Sequence, residues 1–458
     1  KYEELFAFMF KINFLKLENK KHNKGLSREI DTKKMNEFIK KIPFKLTGDQ
    51  QKAVDEILED LKSDSRMNRL LQGDVGSGKT IVSFIAMYAN YLSGFQSALM
   101  APTEILAVQH YNNLKEFLKG EDVEVALLTG STSKKEKQMI YSGLKDGSIN
   151  MVIGTHALIQ EEVEYQNLGL VITDEQHRFG VNQRANLQNK GVRPDILYMS
   201  ATPIPRTYAL TIYGDMDMSI IKERPKGRGH ITTYLKKNDE IKDVLEMMFK
   251  ELKAGHQVYV IAPLIEDVEN SELATVCNLK DQMTLAFGKN FKIDIIHGKM
   301  ASGAKDLIMQ EFAQGSIQIL ISTTVIEVGV DVSNATTMVI FDANRFGLST
   351  LHQLRGRVGR GSFESQCILI SDSDAKRLEI MKNVDDGFVI SEEDFKLRGH
   401  GDLFGTKQSG DMEFKIANLK DDYKILLQAK KDSMEYLKNK KDEEEKLKKT
   451  LIASINNA

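Results

Sequence analysis

Short, near-continuous apolar runs separated by helical stretches dominate the chain from about residue 45 to 370. RLLQG (69–73), SALMAP (97–102), INMVIG (149–154), LGLVIT (168–173) and ILYMS (196–200) are each near-continuously apolar. Strands buried on both faces of a parallel sheet read this way. Between the first two lies TIVSFIAMYANYL (80–92), a helical segment. This series predicts one α/β domain. After a polar joint near ERPKGRGH (223–230), a second series runs QVYVIAPL (257–264), KIDIIHG (292–298), IQILIST (317–323), TMVIFD (337–342) and QCILIS (366–371). The expected plan is a helical linker over 1–42, α/β domains over 43–228 and 229–372, and a charged helical end over 373–458, with KKDEEEKLKK at 440–449 as surface helix. No internal repeat is visible.

At 458 residues the chain is too long for one core. Its 41% hydrophobic and 28% charged content is ordinary for a soluble globular protein. A net charge of −2 gives no global sign of a polyanion partner, so any nucleic-acid surface must be local. Residues 1–45 carry 12 Lys or Arg against 6 Asp or Glu, which suits either a DNA contact or a solvated amphipathic face. Cys277 and Cys367 both sit in apolar stretches, so buried thiols and a reducing cytosol are expected. No run approaches the roughly 18–20 apolar residues of a membrane span, and no signal-peptide pattern opens the chain. The start at Lys1, inside a helical pattern, suggests a fragment whose amino-terminal part has been removed.

Residues 73–80 read GDVGSGKT, a complete Walker A pattern. Gly73, Asp74, Gly76, Ser77 and Gly78 form the turn that lets backbone N–H groups approach phosphates. Lys79 is placed for the β/γ oxygens and Thr80 for a magnesium ion. LGLVITDEQH then ends an apolar strand in two acids, Asp174 to hold Mg²⁺ and Glu175 to orient or deprotonate water. Together these predict binding and hydrolysis of a nucleoside triphosphate. In MAPTEILAVQH a strand gives way to a helix at Pro102 and Thr103, where amides can grip a nucleic-acid phosphate. YMSATPIPRT ends a strand in Ser200 and Thr202, suited to relaying a nucleotide-dependent shift. The second series has no Walker A of its own. It offers STTVIEVGVDV, with Thr323 and Thr324, and LHQLRGRVGRG, with Gln353, Arg357 and Arg360. Arginines three apart on a helix share a face and, turned to a cleft, can act as fingers on the γ-phosphate. Alone, such a pair is usually a solvated one; after the preceding motifs it is not.

This order resembles superfamily 2 helicases. With GTHALIQ, DEQHRFGV, SATPIPRT and RFGLSTLHQLRGRVGRG, it is similar to the RecG family of bacterial branched-DNA translocases from about Pro43 onward. The resemblance implies two tandem RecA-like domains with a C-terminal helical hairpin and translocation segment. It implies ATP and Mg²⁺ as cofactors, with Gln50 reading adenine, and His177 coupling the nucleotide site to DNA. Thr155 joins the DNA-binding or coupling set, as do Arg398 and Gln408 in FKLRGHGDLFGTKQSG (395–410), which resembles the family's translocation motif. FDANRFG (341–347) and Lys407 depart mildly from the family pattern. The family's wedge domain, which recognises forks, has no counterpart in the sequence.

The expected function is an ATP-dependent double-stranded DNA translocase acting on forks and Holliday junctions in recombination and repair. It would work as a cytoplasmic, nucleoid-associated monomer, with single-strand DNA-binding protein a further partner. The alternatives are an Mfd-like transcription-repair translocase and a non-hydrolysing DNA-binding scaffold.

Overall fold

The structure is a computed structural model. It describes residues 1–22, 25–175, 179, 186–187, 189–191, 193–202, 216–223, 225, 229–262, 271–323, 332–373, 376–398, 416–417 and 422–439. Two sheets organise them, and every strand pairing in both is parallel. The first contains β1 (Asn68–Gly73), β2 (Gln96–Met100), β3 (Val125–Leu128), β4 (Met151–Gly154), β5 (Leu168–Thr173), β6 (Asp195–Ser200) and β7 (Asp217–Ile221) in the order β3-β4-β2-β5-β6-β1-β7. The second contains β8 (Ile231–Lys236), β9 (Gln257–Ile261), β10 (Ile293–Ile296), β11 (Ile319–Ser322), β12 (Ala335–Ile340) and β13 (Ser365–Ile370) in the order β10-β11-β9-β12-β13-β8. These are two tandem RecA-like α/β units, as the apolar runs predict.

Helices cover both faces, which the doubly buried strands require. In the first unit these are α3 (Gly48–Lys62), α4 (Lys79–Leu92), α5 (Glu104–Phe117) and α6 (Lys134–Asp146). Sequence signals start them: Thr47 accepts from the Gln50 N–H while the Gln50 side chain accepts from Thr47, and Ser133 and Glu136 do the same for α6. Helices α1 (Tyr2–His22) and α2 (Thr32–Lys41) precede them. The chain between α1 and α2 is anchored by Arg28, which is buried and bonds to Asp195, Asn90 and the Gly169 carbonyl.

The second unit carries α7 (Ile241–Lys253), α8 (Ser271–Phe287), α9 (Ser302–Ala313) and α10 (Leu348–Arg355), followed by α11 (Lys376–Asn383) and α12 (Gly387–Arg398). Asp394 of α12 caps the start of α10 by accepting from the Leu348 and Ser349 N–H groups. Helix α13 (Tyr423–Asn439) packs back on α1 through Leu5, Met9, Leu426 and Ala429. Ile105 of the first unit packs against the core of the second. Cys367 is buried, but Cys277 is only half-buried, because it lies on α8 and not on a strand. Among the described residues no helix is long and apolar enough to cross a membrane.

Candidate nucleotide site

Strand β1, between β6 and the edge strand β7, ends at Gly73, and helix α4 begins at Lys79. The turn between them is tight. A Cβ on Gly73 would stand 2.4 Å from Ser77 Oγ, and Gly78 has φ +84° with the Gln50 amide 2.2 Å from where its Cβ would be. A side chain at Gly73 would displace the Ser77 hydroxyl, and one at Gly78 would be strained by the left-handed backbone. The buried Lys79 folds over this turn, its Nζ donating to the carbonyls of Gly73 (2.7 Å) and Asp74 (3.1 Å). Burial lowers its pKa, while Glu175, Asp174 and Asp74 work to keep it charged. Among the described residues the buried Ser77 Oγ has no hydrogen-bond partner. A close-backed glycine cradle, a buried ammonium and an orphaned hydroxyl fit a polyphosphate. Thr80 follows at the start of α4.

Gln50 reaches the loop from α3. Its Oε1 accepts from the Thr47 N–H (2.9 Å) and its Nε2 donates to the Ser77 carbonyl (2.8 Å), so it braces the phosphate loop from α3.

The end of β5 brings the acids to the cradle. Asp174 accepts from His110 Nε2 (3.0 Å) and from the Glu175 N–H (3.0 Å). Burial pushes its pKa up, but His110, Lys79 and that N–H outweigh it, and the carboxyl lies below its ordinary range. Glu175 goes the other way: burial and the neighbouring Asp174 raise its pKa, against Lys79, the Ala201 N–H and Arg357. The two neighbouring carboxyls are thus pushed apart, Asp174 toward its ionised form and Glu175 toward its protonated one. Glu175 has φ +47°, a strained conformation for a side-chain-bearing residue. Its Oε2 accepts from the Ala201 N–H at 3.3 Å, which connects it to the Ser200–Thr202 pair (Oγ···Oγ1, 2.7 Å). Among the described residues no cluster of three or more His, Cys, Asp or Glu forms a metal cage. Magnesium does not need one, since it is commonly held by one or two carboxylates with phosphates and waters.

The second unit closes over this site from α10. Gly356 lies against Val75 of the loop, where a Cβ would be 3.0 Å from Val75 Cβ. Arg357 and Arg360 follow the helix and are not on it: α10 stops at Arg355 with Gly356 as its cap, and Gly359 turns the chain at φ +71°. Helical spacing therefore does not explain their shared direction; the turn does. The charge of Arg357 acts on Glu175 and that of Arg360 on Lys79, and Arg360 Nε donates to the Gly356 carbonyl (3.1 Å). Gln353 is half-buried on α10.

The remaining expected residues are spread along the strand ends. Pro102 and Thr103 open α5, with Thr103 Oγ1 accepting from the Leu106 N–H (3.4 Å). Thr155 is buried with its hydroxyl unpartnered, and Thr323 is buried beyond β11. His177, Thr324 and Gln408 lie outside the described residues, and Arg398 is the last residue of α12. Sequence reasoning passed over His110, His352 and Arg355, although His110, His352 and Arg355 all stand inside quoted motifs. Their local sequence carries no signal of the partners that the fold brings to them.

Residues 47–210 match the DEAD/DEAH box helicase family and 236–362 the helicase conserved C-terminal domain. Residues 384–454 match the C-terminal part of domain 3 of the ATP-dependent DNA helicase RecG. The chain is 49% identical to ATP-dependent DNA helicase RecG of Bacillus subtilis over 94% of its own length and 64% of that protein's. Similarity to the Streptococcus pneumoniae protein of the same name is also 49%, over 94% and 64%. The chain thus spans just under two thirds of the length of these relatives. A solved structure of RecG bound to a three-way DNA junction matches with a TM-score of 0.78 and 46% identity, over 93% of this chain and 56% of that one. Mss116p bound to single-stranded RNA and AMP-PNP shares the fold alone, at a TM-score of 0.57 and 19% identity over 76% and 75%.

Proposed function

From the premise that this chain belongs to the RecG family of DNA helicases, we propose that it is an ATP-dependent motor that moves on double-stranded DNA and acts at branched junctions. The observation that carries this reading is convergence. Lys79 and Glu175 from one α/β unit share a site with Arg357 and Arg360 from the other, so hydrolysis and the relative position of the units are one event.

The side chains divide the work. Lys79 leaves the Gly73 and Asp74 carbonyls to bind the β/γ oxygens. Mg²⁺, held by Thr80 and Asp174, would neutralise phosphate charge when bound. Glu175, with its raised pKa, accepts the proton of the attacking water. Arg357 and Arg360 stabilise the charge that develops on the transferred group, which makes closure a condition of turnover. The Ala201 N–H held by Glu175 passes the change to Ser200 and Thr202.

DNA-facing roles fall to Thr103, Thr155, Thr323 and the 395–410 segment, with the relative on a three-way junction as precedent for the substrate class. The same reading divides the chain at 43–228, 229–372 and 373–458. It makes the working unit a monomer on nucleoid DNA in the bacterial cytoplasm, with single-strand DNA-binding protein as a partner.

The test is ATP hydrolysis by this chain with no DNA, linear duplex or a three-way junction, alongside triplex displacement. Stimulation by duplex together with displacement is expected. Hydrolysis that no DNA form stimulates would sink the motor reading.

A further inference from the structure

His352 has been given no role above, yet both of its ring nitrogens are engaged. It is buried on α10, with Nε2 2.6 Å from Asp74 Oδ1 and Nδ1 3.0 Å from Arg355 Nη2. A guanidinium only donates. Nδ1 therefore accepts, the proton of the neutral ring sits on Nε2, and the ring donates to the Asp74 carboxylate. Residues 278 apart in sequence are joined, one in the second unit and one in the phosphate loop.

Asp74 has other tasks in that loop. Its Oδ1 also accepts from the Val75 N–H (2.7 Å), and its carbonyl is one of the two acceptors of Lys79 Nζ (3.1 Å). When Lys79 turns to a phosphate, Asp74 loses that ammonium, and Asp74 is the residue His352 holds. On the other side, Arg355 donates to the carbonyls of Met381 (2.7 Å) and Val384 (3.0 Å), where α11 gives way to α12. One hydrogen-bonded line therefore runs from Lys79 through Asp74, His352 and Arg355 to the joint of the C-terminal helices.

We propose that His352 is a positioning residue that clamps the second unit to the phosphate loop through Asp74, setting how much of the protein has its cleft closed, and that carries the engagement of Lys79 to the α11–α12 joint. The inference rests on the proposed hydrolytic reading of the site. It assigns His352 a task apart from the arginines: they act on charge in the reaction, whereas the histidine fixes where they stand.

The test uses the whole 458-residue chain in a Cys277→Ser background, with dyes on cysteines placed at the exposed positions Met139 and Leu285, one on each unit. Cys367 is buried, with its thiol pKa pushed up to about 12, and stays unlabelled. Energy transfer is read without nucleotide, and ATP hydrolysis is read across ATP concentrations. His352→Leu is expected to lower transfer and reduce kcat about tenfold, the scale of a lost charge-assisted hydrogen bond, with KM moving less than about threefold. His352→Gln keeps a donor toward Asp74 and should recover most of both. Asp74→Asn in each background completes a double-mutant cycle, in which its effect should shrink once His352 is Leu. Wild-type transfer in His352→Leu, full additivity in the cycle, or a Gln variant no better than Leu would each overturn the clamp. If His352→Leu does not fold, His352→Gln and Asp74→Asn decide by the same distance: a weakened clamp lowers transfer only in the second. If the wild-type chain hydrolyses no ATP, the hydrolytic reading fails while energy transfer still decides the clamp.

Discussion

The two halves of the cleft are built by different means. On the first sheet, Lys79, Asp174 and Glu175 stand at strand ends or a helix start, each tied by main-chain bonds: Lys79 to two carbonyls, Asp174 to the Met100 carbonyl through its N–H, Glu175 to Ala201. On the second, Arg357 and Arg360 hang from a turn beyond a short helix, placed by what that helix touches. The first half is preorganised by its own sheet. The second is correct only when the units are together. Binding should therefore live in the first half and rate in the second.

The largest effect expected is the loss of nucleotide binding in Lys79→Ala, measured with a fluorescent ATP analogue, because the Lys79 ammonium is the cation bonded to the cradle's own carbonyls. Glu175→Gln should keep that binding and stop turnover. Next, Arg360→Ala should bind nucleotide nearly as well as wild type and lose about 10³-fold in kcat. Weakened binding with unchanged kcat would reverse the division drawn above.

Gly356→Ala tests the seam itself. The added methyl presses on Val75 and should cost closure about 1 kcal/mol, roughly fivefold in rate. Val75→Ala in the same protein should restore it; a double variant worse than either single one would show that the seam is not a steric stop.

The smallest effect concerns stability. Glu175 has a pKa raised in the folded state, so its contribution favours folding below the unfolded carboxyl pKa and is lost as pH rises through the folded one. Above the folded-state pKa the ionised, buried Glu175 is a liability, and Glu175→Gln should raise the thermal midpoint there. The gain should vanish in acid. A midpoint difference that ignores pH would mean the carboxylate is not strained by its burial.

The sheet interiors were legible in the sequence because doubly covered strands are near-continuously apolar. Three edge strands were not. VALL (β3) is short and follows an acidic stretch, DMSII (β7) is half-exposed, and ITTYLK (β8) alternates. Each lies at the margin of its sheet, where one side lacks a neighbour and the apolar signal thins. The chemical motifs were legible because their spacing is local. The contacts His110–Asp174 and His352–Asp74 were not, since the sequence shows each histidine but not the carboxylate that the fold brings to it. Gln50 shows the same limit: a motif gives the residue, and only the structure shows its amide bracing Ser77.

Helix α1 finds its partner α13 at the opposite end of the chain, with Asn13 donating to Ser433 across 420 residues. During synthesis at about 5–20 residues per second, α1 waits roughly 20–80 s for that partner, with Leu5, Phe6, Met9 and Phe10 unshielded. Both sheets can form in that interval, since their strands lie between the two helices. Among the described residues the clasp thus forms after the strands of both sheets have been made, and until then its apolar stripe is open to a ribosome-associated chaperone.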